Sequence, residues 1–279
     1  MTAVIDFHTH LFPGGAFDEV ASKELQARGL LHDRFEMVCG QTTLARDELE
    51  AFYRSQGLDK VVVLAEVTPL TTGVSSNEFV GEYCYGSDLL VPFCSPNPYL
   101  HRDLAHHVEQ LVDRYGFRGI KVYPSYLPIS PGDPRLYPMY AMAEQRGLPV
   151  MFHTGVSTFP GARLRYADPL LIDEVAVDFP RLRVVLAHGG RDLWFAEAFA
   201  LARTHEHVYL EVSGLPPSRL LDYFPKLQVL EGKVVFGTDF PVLRSITDNV
   251  QAIRELPLRE SFVHDILVGA ASRLLARAA

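Results

Sequence analysis

Short, β-branched apolar runs return along this chain at residues 3–8, 60–66, 89–94, 117–123, 148–153, 182–188, 207–212 and 233–238. Several are almost unbroken in Val, Ile and Leu, the composition of strands covered on both faces. Parallel strands need long crossovers, and residues 102–115, 134–146, 169–179 and 192–205 carry apolar side chains at helical intervals between the runs. Eight such alternations predict an α/β fold, a closed parallel (β/α)8 barrel. The stretch from residue 11 to 56 is too long for one connection, and the spacing predicts an extra helix near residues 16–29 lying over the barrel mouth. A doubly wound open sheet would carry a glycine-rich turn after its first strand. Here that strand ends in histidines, and Gly14-Gly15 comes too late and lacks the third glycine.

No linker or low-complexity tract divides the 279 residues, so the expectation is one barrel domain over residues 1–279. A net charge of -8 argues against a surface that neutralises nucleic-acid phosphates or sits on anionic membranes. The three cysteines, Cys39, Cys84 and Cys94, form no C-x-x-C pair, and their odd number fits a reducing compartment. Without a basic leader segment or 18 uncharged apolar residues in a row, the chain reads as cytoplasmic.

In such a barrel, chemistry gathers where the strands end. The first run ends in His8-Thr9-His10, the fifth in His153, the sixth in His188 and the eighth in Asp239. Alternate residues of a strand share a face, so His8 and His10 would point together. Four imidazoles and a carboxylate around one small volume are the donors that zinc and other borderline divalent ions prefer. Each residue also has an ordinary reading: His153 or His188 as a core histidine bonded to backbone, Asp239 before Phe240-Pro241 as a turn cap.

The order His-x-His, His, His, Asp, with the segments "GIKVYP", "LPVMFHTG", "FPRLRVVLAHGG" and "VVFGTDFPV", resembles the amidohydrolase superfamily. More narrowly it is similar to the branch that groups aminocarboxymuconate-semialdehyde decarboxylase with short, uncharacterised TIM-barrel hydrolases. The resemblance runs from Asp6 to Leu275. It implies a TIM barrel holding one divalent ion, most often zinc, with His8, His10, His153 and Asp239 as ligands and His188 as the proton-transfer group. It also implies a homodimer. One departure is Gly269-Ala270-Ala271, where relatives often show Gly-Asn-Ala; the expectation is a changed helix contact and an intact metal site. Lys121 stands where other branches carry a carboxylated lysine bridging two metals, so a carbamylated Lys121 and a binuclear site form the alternative. Otherwise Lys121 would meet a substrate carboxylate or pair with Glu66, itself expected to support a ligand.

A metal ion with an open position lowers the pKa of water and polarises a carbonyl, which suits hydrolysis of a small ester, lactone, amide or carboxylated substrate. His188 or Asp239 would accept the proton. The same parts serve decarboxylation of an unsaturated or aromatic acid, with Arg163, Arg165 and Arg191 as candidates to orient carboxylates. Tyr123, Tyr126, Tyr166 and Trp194 could then wall a pocket for a planar ring. A non-catalytic, zinc-stabilised binding protein is a third reading. Small molecules, rather than nucleic acid or membrane, are the expected partners.

Overall fold

The computed structural model describes residues 3–243 and 245–276, so the ends of the expected 1–279 domain lie outside the described residues. Eight parallel strands follow one another in chain order: β1 (Ile5–His10), β2 (Lys60–Leu64), β3 (Leu90–Cys94), β4 (Gly119–Val122), β5 (Val150–His153), β6 (Val184–Ala187), β7 (Val208–Glu211) and β8 (Val234–Val235). The chain beyond β8 closes the ring. Phe7 N–H donates to Phe236 O at 3.1 Å, Asp239 N–H to His8 O at 2.9 Å and His10 N–H to Phe240 O at 2.8 Å. The result is the expected (β/α)8 TIM barrel, with helices packed between successive strands. No helix among the described residues is long and apolar enough to cross a membrane.

Alternation along each strand sorts the side chains into two layers. Val150, Phe152, Val184 and Leu186 pack outward against the helices, whereas Met151, Val185 and Ala187 fill the interior with Phe7, Val62, Leu64 and Phe93. Phe7 and Phe93 meet edge to face at 5.4 Å between centroids. Below them the final helix, Ala270–Leu275, inserts Ala270, Ala271 and Leu274 into the same cluster. Arg183, just before β6, donates to Ala276 O at 2.9 Å, and Arg118, just before β4, to Leu275 O. The Gly269-Ala270-Ala271 departure therefore lies in the barrel floor, at the end opposite the histidines.

β1 is not a simple alternating strand. Asp6 pairs with Val61 and Thr9 with Val63, so β1 advances one residue more than β2 over the same span. This is a β-bulge, which re-aims the side chains beyond it. Phe7 packs inside the barrel, yet His8 and His10 also turn toward the site, while Thr9 Oγ1 donates to Val62 O at 2.8 Å.

The connection after β1 holds more structure than the sequence spacing predicts. It carries the expected extra helix as α1 (Glu19–Ala27), a further one as α2 (Asp33–Cys39), and the crossover helix α3 (Arg46–Ser55) that leads into β2. The Asp18 carboxylate caps α1 by accepting from Val20 N and Ala21 N, both at 2.9 Å. The second expected strand also stops early: Glu66–Thr68 pairs antiparallel with Gly73–Ser75 in a small ribbon. That ribbon anchors the insertion through Asp18 N–H to Thr72 O at 2.8 Å and Val74 N–H to Ala16 O at 3.3 Å.

Gly119 of β4 shows how tightly the interior is filled, because a Cβ there would overlap the Phe93 ring. Gly119→Ala should destabilise the protein by about 1–3 kcal/mol. Denaturant unfolding of the variant checks this, and Phe93→Leu in the same chain should recover part of the loss.

Candidate metal centre

At the C-terminal rim, His8 Nε2 and His10 Nε2 lie 3.2 Å apart. Asp239 Oδ1 stands 3.5 Å from the first and 3.2 Å from the second. These three side chains form one of the groups among the described residues able to hold a metal ion. His153 does not join that tight trio. Its Nδ1 lies 3.2 Å from His188 Nε2, and the His188 ring lies 4.8 Å from that of His8, so the histidines form a continuous arc. His188 and Asp239 sit just beyond β6 and β8 with φ of 64° and 61°. A non-glycine residue in that region costs about 1–2 kcal/mol, strain that surrounding structure must impose.

Carboxylates stand behind the imidazoles. His10 Nδ1 is 3.0 Å from Glu66 Oε2, an ion-pair distance rather than an aligned hydrogen bond, and Glu66 in turn accepts from the Thr68 and Thr72 hydroxyls. His8 Nδ1 is 3.3 Å from Glu211 Oε2 and 2.9 Å from Ser213 Oγ. Glu211 accepts further from His188 N–H at 3.1 Å, Ser213 N–H at 2.8 Å and Ser213 O–H at 2.8 Å. Gly237 leaves room for this, since a Cβ there would strike Glu211 Oε1 and sit 2.8 Å from His8 Cβ. Glu211 and Ser213 were missed by the sequence reading. The signal was available: Glu211 lies at the close of the seventh apolar run and is the last residue of β7, as His153 is of β5.

Burial first, then the positive charge of Lys121, lowers His8 and His153 well below the ordinary histidine range. Burial and Arg191 do the same to His188. These three imidazoles are therefore neutral at pH 7. Burial also disfavours charge on His10, but Asp239 and Glu66 prevail and raise it to about 9. Asp239 is buried as well, yet His10, His8 and Arg191 hold its carboxyl well below the usual range.

The hydrogens can be counted. With Nδ1 of His8 and His10 turned to carboxylates, lone pairs on both Nε2 atoms and on Asp239 Oδ1 face one another within 3.5 Å. Such a cluster needs a cation at its centre, a proton on His10 or a divalent ion. His153 Nε2 is buried without a hydrogen-bond partner and points the same way chemically: a bare, neutral donor. The residues present fit a divalent metal ion.

A cavity of about 310 Å³ opens over this rim, lined by His10, His153, His188 and Asp239. The insertion supplies Phe12, Phe17, Leu25, Arg28 and Phe35, and the barrel loops Tyr123, Tyr126 and Phe159. Edge-to-face contacts tie the two sets together, Phe17 to Phe159 and Phe159 to Tyr126, each with 6.3 Å between centroids.

Of the cationic candidates only Arg191 lines the cavity. Its Nε and one terminal nitrogen donate to Val156 O at 3.1 and 2.9 Å, leaving the other 4.0 Å from Asp239 Oδ2. Arg163 and Arg165 are exposed, because the loop after β5 turns into a short Leu164–Tyr166 helix that faces solvent; Arg165 covers the Tyr166 ring there. Trp194 is half-buried beside Gly190 and, like Tyr166, is not among the cavity-lining residues. Lys121 is fully buried, 3.4 Å from Met151 Sδ and 5.1 Å from the centre of the Tyr123 ring, with its ammonium pushed down to about 8 by burial. It forms no ion pair with Glu66 among the described residues.

Comparison with known proteins agrees with this architecture. An amidohydrolase family model matches residues 5–277. None of the curated proteins compared with the chain matches it. Among solved structures, an uncharacterized TIM-barrel protein from Bordetella bronchiseptica superposes with a TM-score of 0.77 at 26% identity, covering 98% of each chain. A dihydroxybenzoic acid decarboxylase from Polaromonas, with bound manganese and the inhibitor 2-nitroresorcinol, gives 0.71 at 15% identity over 99% of this chain and 97% of that one. A probable 2-pyrone-4,6-dicarboxylic acid hydrolase from Acinetobacter baumannii with citric acid bound gives 0.67 at 14%, covering 98% of each. The family match extends through every strand of the barrel and every residue of the rim, and the chain belongs to the amidohydrolase family.

Proposed function

We propose that the protein is a metal-dependent hydrolase of a small ester, lactone or amide that also carries a carboxylate. His8, His10, His153 and Asp239 would hold one divalent ion, zinc by donor type, although a structural neighbour carries manganese. When bound, the ion would supply Lewis acidity and lower the pKa of water. The remaining work falls to side chains. Asp239 keeps its charge, and Glu66, 3.0 Å from Nδ1, orients His10. Phe17, Phe35, Tyr126 and Phe159 would exclude water and grip an apolar body, and the free edge of Arg191 would receive a carboxylate.

What carries hydrolysis over decarboxylation is the tautomer that the neighbours of His188 assign to it. Its Nδ1 lies 3.0 Å from the Ser213 carbonyl, an acceptor only, so Nδ1 bears the hydrogen and the neutral ring has a bare Nε2. A bare nitrogen begins a cycle by taking a proton, as activation of water requires, whereas decarboxylation of an aromatic acid needs a proton delivered to carbon. The aromatic cavity walls favour the second reading, a decarboxylase of a planar acid like the one the Polaromonas neighbour is named for. Lys121, held against Met151 and Tyr123, supports one ion rather than a carbamate-bridged pair.

Elemental analysis of protein purified without chelator should find about one divalent ion per chain. His8→Ala should remove the ion and the activity together. His188→Ala should keep most of the ion while losing about 100-fold or more in kcat; equal metal loss from both variants would show that His188 is a ligand. Incubation with small lactones, esters and hydroxybenzoic acids, with carbon dioxide monitored, separates the two reactions. Metal-dependent gas release without hydrolytic product would overturn hydrolysis. Arg191→Met should raise KM for the carboxylated substrate by about tenfold or more with a smaller change in kcat, the loss of one charge-assisted hydrogen bond.

A further inference from the structure

A second group of donors, His8, His188 and Glu211, lies wholly buried behind the rim and has the composition of another cation site. Its centre is already filled. Ser213 Oγ lies 2.9 Å from His8 Nδ1, 3.0 Å from His188 Nδ1 and 2.8 Å from Glu211 Oε2. A hydroxyl has one hydrogen to give and two lone pairs to receive with, and here it meets one acceptor and two ring nitrogens. Glu211 receives backbone N–H groups from His188 and Ser213 on its two oxygens, so it stands as the acceptor here and the serine hydrogen goes to Glu211 Oε2. Both Nδ1 atoms must then carry hydrogens of their own. The Ser213 carbonyl, 3.0 Å from His188 Nδ1, enforces the same choice.

We propose that Ser213 is a positioning residue: its hydroxyl locks His8, and its hydroxyl and carbonyl together lock His188, in the Nδ1–H tautomer, leaving both Nε2 atoms without a hydrogen. The consequence passes one ring further. Because His188 Nε2 is bare, His153 Nδ1 must donate to it across 3.2 Å, which leaves His153 Nε2 bare as well. That atom is the buried nitrogen without a partner. One serine therefore sets the hydrogen pattern of three imidazoles, its hydroxyl that of His8 and its carbonyl that of His188 and through it His153, and this deepens the proposed function by resting on the reading that the Nε2 atoms of His8 and His153 hold a cation while His188 takes a proton. Without the hydroxyl, His8 keeps only the longer contact to Glu211 and the Glu211 carboxylate loses a donor.

The test uses Ser213→Ala, Ser213→Thr and Ser213→Cys with two readouts. Zinc affinity of the metal-stripped protein, measured by chelator competition, should fall about 10–100-fold in Ser213→Ala, as loss of a group orienting a ligand does, and return to within about threefold of the parent in Ser213→Thr. Nitrogen-15 imidazole spectra of the metal-free protein should show His8 and His188 as single Nδ1–H tautomers in the parent and in Ser213→Thr. In Ser213→Ala, His8 should become a mixture. Should Ser213→Ala not fold, Ser213→Cys, similar in shape but a weak donor, must show intermediate affinity; Cys binding as well as Thr would overturn the proposal, as would unchanged affinity and tautomers in Ser213→Ala. The spectra decide this point even if the parent binds no divalent ion, an outcome that would remove the hydrolase reading and leave the tautomer lock standing or falling by itself.

Discussion

One β-bulge does more than any other local feature to make this barrel a reactive one. β1 must fill the interior with Phe7 and also deliver two imidazoles to the rim, demands that strict alternation cannot meet within four residues. The extra residue between Asp6 and Thr9 reconciles them. Asp6 secures the distortion by accepting from His8 N–H at 3.1 Å, Thr238 N–H at 3.0 Å and Thr238 O–H at 2.6 Å. Those bonds join the bulge to the segment that carries Asp239, so the two sides of the trio are set by one buried carboxylate. Burial pushes that carboxyl up to about 7, and its hydrogen bonds work against the shift.

Around this the protein divides its labour by layer. The interior below the rim is apolar and close-packed, sealed at its base by Ala270, Ala271 and Leu274. At the rim His10 is backed by Glu66 and the neutral His8 by Glu211, each carboxylate bonded to hydroxyl donors of its own. Orientation of this kind usually decides ligand affinity as much as the ligands themselves. Above it, the insertion and the barrel loops contribute the aromatic rings that line the cavity.

Much of this was legible in the sequence because it rests on local regularities. The eight apolar runs placed the strands, and the residue types at the ends of the first, fifth, sixth and eighth runs placed His8, His10, His153, His188 and Asp239 at one rim. What was not legible depends on the third dimension. The bulge leaves no mark in hydrophobic pattern, since Phe7 and His8 are both plausible on either face. Glu66 reads as the end of a strand but begins a ribbon, because Thr68 and Thr72 satisfy its carboxylate only when the chain turns back. Arg163 and Arg165 are indistinguishable from Arg191 in composition; only the path of the loop after β5 separates solvent from cavity. Ser213 carries no signal alone, and gains meaning from three neighbours far apart in sequence.

The central claim is that side chains from β1, β5 and the turn after β8 share one cation. A crystal of the metal-loaded protein, measured at the absorption edge of the bound element, tests it most directly. The account predicts a single anomalous peak within about 2.0–2.2 Å of His8 Nε2, His10 Nε2, His153 Nε2 and an Asp239 oxygen. A peak elsewhere, or loaded crystals with no peak at that rim, would contradict it.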